Sequence, residues 1–154
     1  MNIFYLDTDP RVAAQYHCDK HVVKMILESA QLLCTAHIVL DGDNDQLYKP
    51  CFRNHPCGVW TRASRANYLW LFDLFAALCA EYTHRYGRVH ASERLLPLLA
   101  QAPVNISDGG LTFPALAMPE ECRTDDAVRS YREYYRTVKA HILKWTGRAA
   151  PEWL

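Results

Sequence analysis

The chain has 154 residues, and its 17 Lys and Arg balance its 17 Asp and Glu, so the formal net charge is zero. Half of the residues are hydrophobic and 22% are charged. That is the composition of an ordinary globular domain, large enough to bury a core without staples, and it excludes a polycation that binds nucleic acid by bulk charge. No unbroken apolar run approaches the roughly eighteen residues of a membrane span, and the N-terminal residues carry no basic stretch and cleavage site. The expectation is a cytoplasmic protein with no membrane partner.

In chain order, Ile3–Leu6 is a short apolar run that reads as one strand. Asp9 then serves as an N-cap with Pro10 at the first helical position, which predicts a short helix over 11–17. Asp19 is a second candidate N-cap where the helix can restart. From Lys20 to about Val39 the periodicity is helical. Lys20, Lys24, Glu28, Gln31 and Thr35 follow at steps of four, four, three and four, and His17 and His21 extend that stripe one turn earlier. Val22, Met25, Ile26, Ser29, Leu32 and Leu33 form the opposite, buried side.

The polar turn at 41–45 lacks the spacing of a calcium loop. Residues 49–56 are irregular, bracketed by Pro50 and Pro56. Pro56 opens a long helix that runs to Tyr86 and stops at Gly87; it is apolar nearly all round over 69–78, broken only by Asp73, which makes it the central helix. A short helix over 92–100 is interrupted by Pro97. The stretch 101–123, with Pro103, Gly109-Gly110, Pro114 and Pro119, is a long loop of the kind that often carries function. Thr124 or Asp125 caps a last helix to about Trp145. The expected fold is mainly α: a single-domain helical bundle around a central buried helix, with one short N-terminal strand.

Six cysteines are weak evidence for disulfides in such a chain. Cys34 and Cys79 read as core thiols. Cys51 and Cys57 flank Asn54-His55-Pro56 without a CxxC pair, so no metal is assigned.

The stripe on the Lys20 helix sets two histidines, two lysines, a carboxylate and an amide side by side. It reads either as a solvated face or as a platform for an anion and an amine. Lys24 precedes Glu28 by four, the weaker orientation for helix stabilisation. Asn54 and His55 stand before a helix N-terminus, where backbone N–H groups favour anions. Cys18 is a weaker nucleophile candidate than the lysines. No Asp or Glu occurs from Gln46 through Phe72, while Lys49, Arg53, Arg62 and Arg65 do. Arg132, Arg136 and Lys139 lie on a helix rich in tyrosine. Such segments, with Trp60, suit phosphate contacts and the stacking of an exposed base, or else are solvated helix faces.

Asp7-Thr8-Asp9-Pro10, His17-Cys18-Asp19-Lys20-His21-Val22-Val23-Lys24-Met25, Glu28, Ala30-Gln31-Leu32-Leu33, Tyr48-Lys49-Pro50, Asn54-His55-Pro56-Cys57, Trp60, Arg62, Ala117-Met118-Pro119 and Tyr134-Tyr135 together form a recognisable pattern. It resembles, over essentially the whole chain, a family of small bacteriophage proteins labelled pyrimidine-dimer DNA glycosylases. Some members look like amino acid:DNA transferases that hypermodify thymine. The resemblance implies double-stranded DNA as partner and no cofactor. For the transferase branch it implies that the phosphate of 5-phosphomethyl-deoxyuridine, on a flipped base, is displaced by the amine of glycine or another small amine.

Under that reading Asp19, Lys20, His21, Lys24, Glu28 and His55 are the catalytic candidates. The lysines and histidines assist the leaving phosphate, and Glu28 or Asp19 serves the incoming amine. His17, Gln31, Asn54 and Arg62 are the substrate-binding candidates, with Arg62 for the glycine carboxylate. Lys49, Arg53, Trp60, Arg65, Arg132, Arg136 and Lys139 are the DNA-binding candidates. One alternative is a pyrimidine-dimer glycosylase/lyase with Lys20 or Lys24 as Schiff-base nucleophile. Phage glycosylases of that type are implied to use an N-terminal amine, after methionine removal, together with a carboxylate. Asn2 is too bulky for ready methionine removal, which counts against that amine here. The other alternative is a non-catalytic DNA-binding accessory protein.

Overall fold

The computed structural model describes all 154 residues, Met1–Leu154. Helix α1 (Pro10–Tyr16) starts as the Asp-Pro pair predicts, with the Arg11 N–H donating to Asp9 at 2.8 Å. The chain breaks at the extended pair His17–Cys18 and restarts as α2 (Asp19–Asp41). The capping position is Cys18 rather than Asp19. The Asp19 carboxylate is drawn away: it accepts the Thr146 N–H at 2.9 Å, the Thr146 hydroxyl at 2.7 Å and Arg85 Nη1 at 3.0 Å. Val22, Met25, Ile26, Leu32 and Leu33 of α2 enter the core as the periodicity predicts. This helix is long and apolar enough on average to cross a bilayer, although polar residues interrupt its apolar runs; 67% of its most apolar window is buried inside the fold.

The expected single helix from Pro56 to Tyr86 is two: α3 (Pro56–Ala63) and α4 (Arg65–Tyr86). Ser64 between them is extended and caps α4, accepting the Asn67 N–H at 3.1 Å. Asn67 then takes up the Trp60 carbonyl at 2.8 Å and exchanges hydrogen bonds with Thr112. The break costs little because one side chain caps the new helix and another satisfies the old one. Gly87 ends α4 in the left-handed conformation, φ 63°. α4 is the central helix: it packs on α1, α2 and α3, with Leu71, Leu74, Phe75 and Leu78 fully enclosed.

No strand forms. In Ile3–Leu6 the Leu6 N–H turns back onto the Phe4 carbonyl at 2.9 Å, and there is no ladder. A strand would alternate its faces, but here all four side chains are buried. Phe4 stacks on His21 and meets Tyr135 edge-on, while Tyr5 stacks on Trp70. The segment is a plug between helices.

A 3₁₀ turn (Ala91–Leu95) leads into α5 (Leu96–Leu99). The last helix, α6 (Ala127–Arg136), is shorter at both ends than its pattern suggests and is capped by Asp126, not Thr124 or Asp125. Beyond it the chain folds back onto α1 and α2, where the Lys144 carbonyl accepts the Asp19 N–H at 2.8 Å and Trp145 Nε1 donates to the Tyr16 carbonyl at 3.1 Å.

That return is clamped by an ion network. Arg85, with its side chain wholly enclosed, donates to Glu81 at 2.8 Å and to Asp19 at 3.0 Å, and Arg148 grips both oxygens of Glu81 at 2.7 Å. Burial opposes ionisation of Glu81, but the two guanidinium groups outweigh it and hold its pKa below the usual value. Glu81→Gln leaves a buried cation short of its partner. It is expected to lower unfolding free energy by about 3 kcal/mol, read from the urea midpoint.

Candidate functional site

The site forms around Glu28, on the stripe of α2 that remains after the core is built. The residue is 8% exposed, and both oxygens of its carboxylate have partners. Lys24 Nζ lies 3.3 Å from Oε1; the Met1 amino nitrogen lies 3.6 Å from Oε2, which also accepts the Asn2 N–H at 3.1 Å. Two amines therefore converge on one shielded carboxylate. They differ in constraint. The Lys24 side chain is 65% exposed on a flexible stem, so its ion pair contributes under about 1 kcal/mol. The Met1 nitrogen is carried on backbone that its neighbour anchors.

Asn2 is that anchor. Its Nδ2 donates to the Ala117 carbonyl at 2.8 Å. Its Oδ1 accepts the Ile3 N–H at 2.8 Å and lies 3.0 Å from the Tyr131 hydroxyl and 3.8 Å from Cys57 Sγ. Burial pushes the Cys57 thiol up to about 11 and raises Tyr131 as well, so both stay protonated and serve as donors. The long loop before α6 thus holds the N-terminus, through Ala115 and Ala117.

The third wall is the loop that leads into α3. His55 caps α3, its Nδ1 accepting the Cys57 N–H at 3.1 Å. Its pKa is lowered, first by burial and then by the Met1 ammonium, against a smaller opposing pull from Glu28. That leaves a neutral imidazole beside the amine–carboxylate pair, with Nδ1 as acceptor and Nε2 carrying the proton. Cys51 is tied to α2 by a reciprocal pair with Thr35, at 3.1 and 3.3 Å. Phe52, between Cys51 and Arg53, has φ 48° and is 60% exposed. A bulky residue in that conformation costs about 1–3 kcal/mol.

Of the residues proposed from sequence, the fold brings Lys24, Glu28 and His55 together, with Lys20 exposed one turn before Lys24 and Gln31 half-buried one turn after Glu28. It takes three others away. His17 is enclosed, donating from Nδ1 to the Ala13 carbonyl at 2.7 Å, and its Nε2 has no partner. His21 is buried between Phe4 and Tyr135, with Nδ1 2.6 Å from the Tyr135 hydroxyl. Asp19 lies about 13 Å along the helix from Glu28 at 1.5 Å per residue and is bound to Arg85 and Thr146. The stripe was drawn on one isolated helix. The N-terminal plug and α6 cover His17 and His21, and Arg85 and the C-terminal return take Asp19, which turns these residues to structural use.

The basic residues divide in the same way. Lys49, Arg53 and Asn54 are exposed on the loop before α3. Arg62 donates to the Arg53 carbonyl at 2.7 Å and keeps Nη1 enclosed without a partner. Trp60 is not on the surface: it is 6% exposed and donates to the Thr112 carbonyl at 3.3 Å. Arg65 pairs with Asp108, and Arg136 pairs with Glu133. Arg132 holds Asp7 and the Leu6 carbonyl beneath the Tyr16 and Trp153 rings. Lys139 lies over the Tyr134 ring at 5.0 Å. Asn2, Tyr131 and Cys57 are not among the site candidates that the sequence offers, and the bulk of Asn2 counts there against the N-terminal amine. Only their distant tertiary contacts, up to 129 residues apart in sequence, assemble them.

None of the four surface clefts includes Glu28. The largest, about 470 Å³, lies between α1, α4 and Arg148. The arrangement around Glu28 can hold an amine at a carboxylate and exchange protons with it, and Lys24 reaches the open surface. A family model described as pyrimidine dimer DNA glycosylase matches residues 1–94, which include α1 to α4 and the loop before α3. No curated protein and no solved structure matches the chain.

Proposed function

From the premise that the chain belongs to the pyrimidine dimer DNA glycosylase family, whose members act on DNA, we propose that it excises a pyrimidine lesion from duplex DNA by attack of an amine held on Glu28. The observation that carries the reading is the convergence of the Met1 amine and Lys24 Nζ on that carboxylate, at 3.6 and 3.3 Å. The target nucleotide is turned out of the stack, at a cost of roughly a few kcal/mol. The unprotonated amine attacks the sugar C1′. The C1′–N bond breaks and the base departs with the electron pair, taking up a proton. The nitrogen then loses its proton as the C1′–O4′ bond opens, leaving an imine and a 4′-hydroxyl. Glu28 accepts a proton from C2′, the C3′–O bond breaks, and the 3′ phosphate leaves. Water hydrolyses the imine and frees the amine. The neutral His55 relays protons at the rim.

The Met1 amine is the favoured nucleophile, because its backbone is fixed by Asn2 whereas Lys24 must order a mobile stem. This differs from the sequence argument against an N-terminal amine: with methionine in place the nitrogen already stands beside Glu28. The test is borohydride reduction during reaction with ultraviolet-irradiated duplex. A covalent protein–DNA adduct is expected, mapping by mass to Met1 and surviving in Lys24→Ala. Irradiated DNA that is neither cut nor trapped would remove this reading.

One observation favours a second reading, a glycine:DNA transferase. The enclosed, unpartnered Arg62 Nη1 is a donor free to take a carboxylate, while Glu28 is built to hold ammonium groups. Glycine held by its carboxylate would displace the phosphate of a phosphomethylated base. Duplex carrying 5-phosphomethyl-deoxyuridine, incubated with glycine and digested, would then yield a glycinyl nucleoside and free phosphate, and borohydride would trap no protein adduct.

A further inference from the structure

The geometry points to Phe52 as a wedge that enters the base stack when the target nucleotide is turned out toward Glu28. This rests on the reading above only in taking duplex DNA as the substrate. Phe52 is the one non-glycine residue with a positive φ, and its ring is largely in water. A left-handed position in an exposed loop suits Gly, Asn or Asp; an aromatic ring there is unfavourable twice over, by strain and by exposure.

The strain is held from both sides. Cys51 is pinned to Thr35 of α2, the Phe52 carbonyl accepts the His55 N–H at 2.9 Å, and the Arg53 carbonyl accepts Arg62 Nη2 at 2.7 Å. Gly58 of α3 lies directly under the loop: a Cβ there would stand 3.3 Å from the Phe52 carbonyl oxygen. The backbone is therefore rigid while the ring has no partner, as a pre-placed probe requires.

Its surroundings fit the backbone of DNA. Lys49 and Arg53 are exposed on either side, and no Asp or Glu occurs between Gln46 and Phe72. The same loop leads to His55 and to Cys57, which faces Asn2. Wedge and amine are thus parts of one rigid frame. Apolar side chains inserted at a base step unstack and kink the duplex, and a ring can occupy the space an extruded base leaves.

The test compares one pyrimidine dimer placed in duplex and in single-stranded DNA, where no stack has to be opened. Phe52→Ala is expected to slow duplex cleavage about tenfold and single-strand cleavage less than about twofold, with Phe52→Trp restoring the duplex rate. Unchanged duplex cleavage, or equal loss on both substrates, would overturn the wedge. So would the same selective loss in Phe113→Ala, the exposed aromatic of the 101–123 loop, with Phe52→Ala normal. Glu28→Gln should fail on both substrates alike. If the native protein cuts neither, the excision reading fails by itself. The wedge is then judged by 2-aminopurine beside an abasic site in duplex: a fluorescence change on binding that Phe52→Ala loses supports it, and one that persists overturns it.

Discussion

Glu28→Gln is expected to lower single-turnover cleavage of dimer-containing duplex by about 10²–10⁴-fold, the usual span for loss of a positioned acid–base group. Affinity for the duplex should change by no more than about threefold, because exposed Lys20, Lys24, Lys49 and Arg53 remain. The substitution keeps the shape of the side chain and an oxygen for the Asn2 N–H at Oε2. It removes the charge that holds two amines, at 3.6 and 3.3 Å, and the base that accepts the sugar proton. Structural damage is separated from chemical loss by the melting curve and by borohydride trapping. A folded variant that still binds but neither cuts nor traps fits the proposal. A rate within tenfold of the native protein would rule out Glu28 as the proton acceptor.

The second expected result concerns acid. His17 is wholly enclosed and His21 nearly so, and burial lowers their pKa values to about 4 and about 3. A hydrogen bond to the Ala13 carbonyl works the other way at His17, and nearby cations reinforce the shift at His21. In the unfolded chain both titrate near pH 6.5. Below that pH the unfolded state binds two protons that the native state refuses, so their contribution is full above pH 6.5 and is lost as pH falls toward 4. Between pH 7 and pH 5 the two together should remove about 4 kcal/mol of unfolding free energy. The carboxylates with lowered pKa, Asp19, Asp41 and Glu81, act only at lower pH, as the solution falls past the ordinary values of 3.8 for the two aspartates and 4.5 for the glutamate. His37, His55 and His90, also lowered by burial, add to the slope in the same direction; urea midpoints across pH 4.5–7 measure the whole, and His21→Phe, which keeps the stack on Phe4, should remove about half of the part that His17 and His21 supply. A flat profile over that range would mean that the two rings are hydrated.

Glu28 and His21 both lie on α2, whose polar stripe is legible in part from spacing alone. The spacing of Lys20, Lys24, Glu28 and Gln31 was readable because helical periodicity is local: 100° per residue places them on one line whatever surrounds the helix. The same logic gave the cap at Asp9, the stop at Gly87 and the central apolar helix of Leu69–Leu78. It failed where a local pattern had two outcomes of similar energy. Ser64 is tolerable inside a helix and better as a cap, and only Asn67 and Thr112 decided the matter. Ile3–Leu6 is apolar enough for a strand, but a strand needs a partner, and the chain supplies helices instead.

What the sequence by itself determined is the helical class, most helix limits, the amphipathic stripe on α2 and the acid-free stretch around Lys49 and Arg53. These follow from nearest-neighbour physics. What only the tertiary structure decided is which end of the stripe stays free of the core and which end is closed over. Phe4 and Tyr135 close over His17 and His21, and Arg85 and Thr146 take Asp19, while Asn2, held by Ala117 and Tyr131, brings the Met1 amine to Glu28. Those contacts join residues up to 129 positions apart. Their energy depends on burial and on the partner's place in space, and neither is encoded in spacing along one helix.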